Sequence, residues 1–304
     1  MNKKKIYKKI AASFICLSVF GINCGNAQNV IEVAPLFEYP VAPEELPDMY
    51  EKSNYLVEHF WDKMDLKSKQ AVDQNALNHA FYVYSVAMRF ADRNKCVVSN
   101  QKLVNTLSKN PTLLLQFTKA AEENIYGMRA DFWIDEIYIQ YLKALLSSKK
   151  VSPSRKQRYE KQLVALENTS ENSIAPKFSF ENRNGSTTNY FPMSTPTMII
   201  FGNPWDTDWR MARLGMESDL SLVSYLDKGK INILFILPEF RENWQAQVNN
   251  YSDKWIVGFA ENVDNIYDIR VSPAIYVIGS DGKIISKNTS LQTAVHNLLQ
   301  QIKE

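Results

Sequence analysis

The side chains able to do covalent or metal chemistry are few. The chain has three cysteines, Cys16, Cys24 and Cys96, and three histidines, His59, His79 and His296. A thiol acts as a nucleophile or a metal ligand only as its thiolate, which nearby positive charge favours and apolar burial disfavours. Cys96 has Arg93 and Lys95 beside it, yet a lone thiol with no second cysteine in reach is expected to be a semi-buried structural residue. No two histidines have metal-ligand spacing. Asp206 and Asp208 form a carboxylate pair, but residues two apart at a helix start do not face each other. There is no nucleophile-elbow motif and no glycine-rich loop to cradle phosphate. The residues therefore call for no metal, no cofactor and no acid–base hydrolysis.

Two of the three cysteines fall in an N-terminal segment with its own logic. Lys3, Lys4, Lys5, Lys8 and Lys9 precede an apolar run from Ile10 to Ile22, and Gly25-Asn26-Ala27 closes it. That order of positive, apolar and small residues is that of a secretory signal peptide, assigned to residues 1–27. Cys24 raises the alternative of a lipid anchor, although Asn23 stands where a small residue is preferred. Removing residues 1–27 takes away five lysines and no acid, which leaves a net charge of −3 instead of +2. The basic balance thus belongs to the targeting segment. Without a clustered basic face, nucleic acid is not an expected partner. No second apolar stretch is long enough to span a bilayer.

The elements that must position these residues fall into two groups. Residues 28–44 are Pro-rich and read as an extended lead-in. Residues 45–167 carry apolar positions at helical spacing and read as an all-α domain. Helices are expected from Pro47 onward, over 73–91, 99–109, 111–126 and 133–147, and from Ser152, which caps, with Pro153 at the first helical position. Residues 168–175 are a polar linker. Strands and helices then alternate through 176–304. Met198–Phe201, Ile231–Leu237, Trp255–Val257 and Ala274–Ile278 are expected strands, with helices over 206–226, around 242–250 and over 290–302. Asp281-Gly282 marks a hairpin. This alternation predicts an α/β layered sheet.

From about residue 172 to 304 the chain resembles the thioredoxin-like domain of exported thiol-disulfide oxidoreductases of the cytochrome-maturation type. Ala175-Pro176-Lys177-Phe178-Ser179-Phe180 looks like the family's first strand, and Asn184-Gly185 like its hairpin turn. Met198-Ile199-Ile200-Phe201 looks like the strand that delivers the active-site loop. Val271-Ser272-Pro273-Ala274 looks like the cis-proline loop, and Ser280-Asp281-Gly282-Lys283 belongs to the closing hairpin. The helical half resembles a domain of unknown function that precedes such domains in exported bacterial proteins. Phe37-Glu38-Tyr39-Pro40, Pro47-Asp48-Met49-Tyr50 and Phe60-Trp61 carry that likeness.

The resemblance implies a Cys-x-x-Cys after the delivering strand. Aligned on that strand and on Pro204, its two positions are Asp206 and Trp209 here. A carboxylate forms no mixed disulfide, and an indole cannot resolve one. Asp206 does suit the helix N-terminus, where unpaired amides and positive partial charge favour a capping carboxylate. The resemblance further implies that the backbone of Val271 and Ser272, just before Pro273, faces an extended peptide. Trp205 and Trp209 flank the loop, as core residues or as an aromatic binding patch. The expected protein is an exported one, periplasmic or outer-membrane-associated. Its degenerate, non-redox thioredoxin-like domain would bind a peptide or an envelope protein. The alternatives are a thiol-disulfide oxidoreductase that uses Cys96 or acts with a partner, and a structural subunit of an envelope complex.

Overall fold

The computed structural model describes residues 34–302, apart from Lys69 and Met193. The signal-peptide assignment, Cys16 and Cys24 lie outside the described residues. The chain forms two compact units that meet in sequence between Lys156 and Gln157. That point lies within one helix, Pro153–Asn168, whereas composition shifts only after residue 167.

The first unit is helical: α1 (Met49–His59), α2 (Gln74–Phe90), α3 (Arg93–Leu107), α4 (Pro111–Ile125), α5 (Asp135–Ser147) and the start of α6 (Pro153–Asn168). One capping device recurs. Asp48, Asp73 and Asp92 accept the amides of Glu51, Ala76 and Lys95 at 2.9, 2.8 and 3.0 Å. Asn110 accepts that of Leu113, with Pro111 behind it. Each short polar side chain satisfies a donor the helix itself leaves unpaired. Apolar positions of the helices close on Phe60, Trp61, Phe81, Tyr84, Phe117 and Tyr141, all buried. The lead-in is held on this core: Phe37 and Tyr39 pack edge-on or tilted against Phe60, with ring centroids 5.7 and 5.2 Å apart.

Helix α3 begins at Arg93, six residues before the 99–109 expected for it. The start is set by Asp92, whose carboxylate caps the Lys95 amide. The buried stripe of α3 is Cys96, Asn100, Leu103, Val104 and Leu107, at helical spacing but with an amide in it. Asn100 is fully buried. Its Nδ2 donates to the Cys96 carbonyl (2.9 Å) and the Tyr84 hydroxyl (3.0 Å), and its Oδ1 accepts from the Tyr141 hydroxyl (2.9 Å). Both N–H groups of the amide are thereby used, so the polar side chain costs the core little.

The second unit is a seven-stranded sheet in the order β2-β1-β5-β4-β3-β6-β7. Its strands are β1 (Phe178–Asn182), β2 (Thr187–Tyr190), β3 (Thr197–Phe201), β4 (Asn232–Leu237), β5 (Ile256–Phe259), β6 (Ala274–Ile278) and β7 (Ile284–Lys287). The central β3, β4 and β5 run parallel, while β6 lies antiparallel to β3. Successive side chains of a strand point to opposite faces. Met198 and Ile200 of β3 therefore enter one apolar cluster, and Ile199 and Phe201 enter the other. Helices α7 (Thr207–Ser218), α8 (Leu220–Asp227), α9 (Trp244–Val248) and α10 (Leu291–Gln300) contribute to the first cluster. Tyr267 and Val263, from the β5–β6 connection, contribute to the second.

Two expectations change here. Residues 206–226 form two helices, because Asp219 ends α7 and its carboxylate caps the amides of Ser221 and Leu222. The linker 168–175 is also no free connector. Asn172 and Ala175 donate to the carbonyls of Ile284 and Gly282, and Ile284 donates back to Ser173. Together these bonds tie the linker to β7 and the turn before it.

The Asn100 network is a stability test. Asn100→Ala removes a buried partner from the Tyr84 and Tyr141 hydroxyls, and should cost about 2–3 kcal/mol in urea unfolding. Asn100→Asp, which keeps the acceptor but loses the donors, should not restore it.

Candidate functional site

The site is built where β3, β4 and β5 end and β6 begins. Register pairs Phe201 of β3 with Ala274 of β6. Gly202 therefore lies beside Pro273. A Cβ on Gly202 would stand 3.0 Å from Phe235 Cε2 and 3.5 Å from Pro273 Cβ. Glycine therefore leaves room for the Phe235 ring, while the contact with Pro273 is an ordinary one.

The loop after Gly202 is closed by its own hydrogen bonds. Asn203 Oδ1 accepts the Trp205 amide at 3.0 Å, and the Asn203 carbonyl accepts the Asp206 amide at 3.0 Å. Asp206 then caps α7, taking the Trp209 amide at 2.9 Å. This is the same geometry as at Asp48, Asp73 and Asp92, so Asp206 works here as an ordinary cap. Asp208, in the first turn, is exposed and also favoured by the helix dipole.

Trp209 is a core residue. It is 1% exposed, stacks on Phe235 with centroids 5.0 Å apart and planes within 6°, and donates Nε1–H to the Tyr251 hydroxyl at 3.0 Å. Of the two tryptophans flanking the loop, only Trp205 is partly open. The Arg241 guanidinium lies 5.1 Å from its ring centroid.

On the facing loop the Ser272–Pro273 peptide is cis, Val271 is half-buried and Ser272 is exposed. No hydrogen bond reaches the main chain of Val271 or Ser272 among the described residues. A buried ion cluster anchors this loop from below, and sequence reasoning missed it. The Asp268 side chain is fully buried and held by Arg270 through two 3.0 Å bonds from Nε and a further one from Nη2. Lys287 Nζ stands 3.6 Å away, and Asn288 Nδ2 donates to both the carbonyl and the carboxylate of Asp268. The Tyr276 hydroxyl donates to the same carbonyl at 2.6 Å. Breaking such a buried pair by removing one partner costs about 3–5 kcal/mol, because it leaves a charge without compensation. The only signal in the sequence was Asp268-Ile269-Arg270 directly before Val271.

Cys96 belongs to the first unit, while Asp206 and Pro273 belong to the second. It is 1% exposed, and its thiol lies 3.6 Å from the Met88 carbonyl. Burial pushes the thiol up to about 11, outweighing the opposing pull of Arg93. It is therefore protonated at neutral pH and a poor nucleophile. Among the described residues, no group of three or more His, Cys, Asp or Glu side chains could hold a metal ion. None of the described helices is long and apolar enough to cross a membrane.

With this geometry in view, two comparisons bear on identity. A family model described as "Domain of unknown function (DUF5106)" matches residues 3–169. The chain belongs to that family. The structure is similar to a thioredoxin-like protein from Bacteroides caccae, at TM-score 0.70 and 17% identity over 88% of this chain and 99% of that one. It also matches a conserved protein of unknown function from Bacteroides fragilis, at TM-score 0.40 and 24% identity over 43% of this chain and 99% of the other. A third match is the thioredoxin domain of a thiol-disulfide oxidoreductase from Bacteroides vulgatus, at TM-score 0.39 and 15% identity over 44% and 99%. No curated protein matches the sequence. The DUF5106 member thus joins a helical unit to a thioredoxin-like fold.

Asp206→Ala should lower stability by about 1 kcal/mol in urea unfolding, and Asp206→Asn by no more than about half of that, since Asn caps nearly as well. A much larger loss in Asp206→Asn would mean that the carboxylate charge does more than cap.

Proposed function

We propose that the thioredoxin-like unit is a peptide- or protein-binding module without disulfide-exchange activity, carried by an exported protein of the cell envelope. The observation behind this reading is what fills the two positions that the resemblance assigns to the redox pair. Asp206 serves as a helix cap, and Trp209 is sealed in the core under Phe235 and Tyr251. Neither can take part in thiolate exchange, and the thiol of Cys96 is buried in the helical unit.

The open main chain of Val271 and Ser272 supports the binding half of the reading. An extended peptide laid along it would pair by backbone hydrogen bonds, as in strand addition. Asp268, Arg270 and Asn288 act as positioning residues that hold this edge in place. Export rests on the lysine-rich start, the Ile10–Ile22 run and Gly25-Asn26-Ala27. We assign residues 28–44 to the lead-in, 45–167 to the helical domain and 176–304 to the thioredoxin-like domain. The helical domain offers further surface to an envelope partner.

An insulin-reduction assay with dithiothreitol tests the non-redox reading. The protein should accelerate precipitation no more than dithiothreitol alone, and Cys96→Ser should behave the same. Robust catalytic turnover would overturn it.

A further inference from the structure

The same end of the sheet carries one exposed aromatic ring, Phe240, beside the partly buried Phe259 and Trp205. Phe240, in the loop after β4, is 66% exposed and meets Phe259 at the end of β5 edge-on, with centroids 5.4 Å apart. Trp205 lies in the loop after β3, under Arg241. Because β5, β4, β3 and β6 are consecutive in the sheet, Phe259, Phe240, Trp205 and Ser272 follow one another across its end. Four strands about 4.8 Å apart make a strip roughly 14 Å wide, the reach of four to five extended residues at about 3.3 Å each.

The rim of the strip has one dominant sign. The exposed or half-buried charges of the segments around it are Asp206, Asp208, Glu239, Glu242, Glu261 and Asp264 against Arg210, Arg241 and Arg270. Arg241 is also partly offset, by Glu239 at 3.9 Å. Carboxylates around an apolar surface favour a cationic partner and repel an anionic one.

We propose that this strip is a specificity surface for an extended peptide that alternates apolar and basic side chains. The proposal rests on the reading above, in which Val271 and Ser272 pair with the peptide backbone. The apolar side chains would lie on Phe240 and Trp205, and the Lys or Arg side chains would reach Glu239, Glu242 and Asp208. The alternation follows from strand geometry, since neighbouring side chains of an extended peptide point to opposite sides.

Fluorescence anisotropy on the full chain tests this with fluorescein-labelled peptides of about seven residues. One alternates Phe with Lys, a second replaces Lys with Glu, and a third replaces Phe with Ser. The Phe/Lys peptide should bind at least about tenfold tighter than either of the others, and more weakly as salt screens the rim. Phe240→Ala, at an exposed position where folding is not at stake, should weaken it about five- to tenfold. The double variant Glu239→Gln/Glu242→Gln should flatten the salt dependence. Binding of all three peptides with equal affinity, or a Phe240→Ala variant that binds like wild type, would overturn the specificity surface while leaving the peptide edge standing. No binding of any peptide would overturn both.

Discussion

The pairing of β3 with β6 is the constraint on which the rest of the second unit depends. Their register runs from Thr197↔Ile278 to Phe201↔Ala274, so both strands reach the same end of the sheet together. Whatever follows Phe201 must meet whatever precedes Ala274. Gly202 stands at that meeting, where a Cβ would press on the Phe235 ring. The parallel β4 and β5 end on the same side, which adds Phe240, Arg241 and Phe259 to the edge. The candidate site is therefore a product of strand register more than of any single reactive residue.

Two local devices then decide what chemistry remains. The start of α7 supplies unpaired amides, and Asp206 consumes one of them as a cap. Trp209, one turn later, faces the sheet and joins its core. The environment that would favour a thiolate is kept, but it holds a carboxylate that has no route to sulfur chemistry. The opposite loop is fixed by the Asp268–Arg270–Lys287 cluster, in which the buried Asp268 carboxylate faces two cations. A rigid edge pays less ordering entropy when a ligand binds it than a mobile one does.

Much of the fold was legible in the sequence because its signals are local. Asp73 and Ser290 mark helix starts, Gly185 and Gly282 adopt positive φ in their turns, and the apolar runs at 198–201 and 274–278 are strands within a residue of expectation. The failures have a shared cause, polar residues that act in long-range structure. Asn100 puts an amide in the apolar stripe of α3, and its partners Tyr84 and Tyr141 are distant in sequence. Asp219 looks like one more polar residue in a long helix, yet it ends one helix and caps the next. The pairing of residues 172–175 with β7 and the turn before it cannot be seen from composition. Within the site, Asp206, Trp209 and Pro273 are singled out by the resemblance, which places them just after one strand and just before another. Asp268 and Phe240 were missed: their significance comes from burial in one case and exposure in the other, and neither is written in local spacing.

The proposed function requires an extended peptide to add to the free edge at Val271 and Ser272. Amide hydrogen exchange resolved by residue, on the full chain with and without the Phe/Lys peptide, tests it most directly. Exchange at Val271 and Ser272 should slow on binding, because those amides would gain partners in a newly formed ladder. Binding that leaves both amides unchanged while protecting residues elsewhere would contradict it.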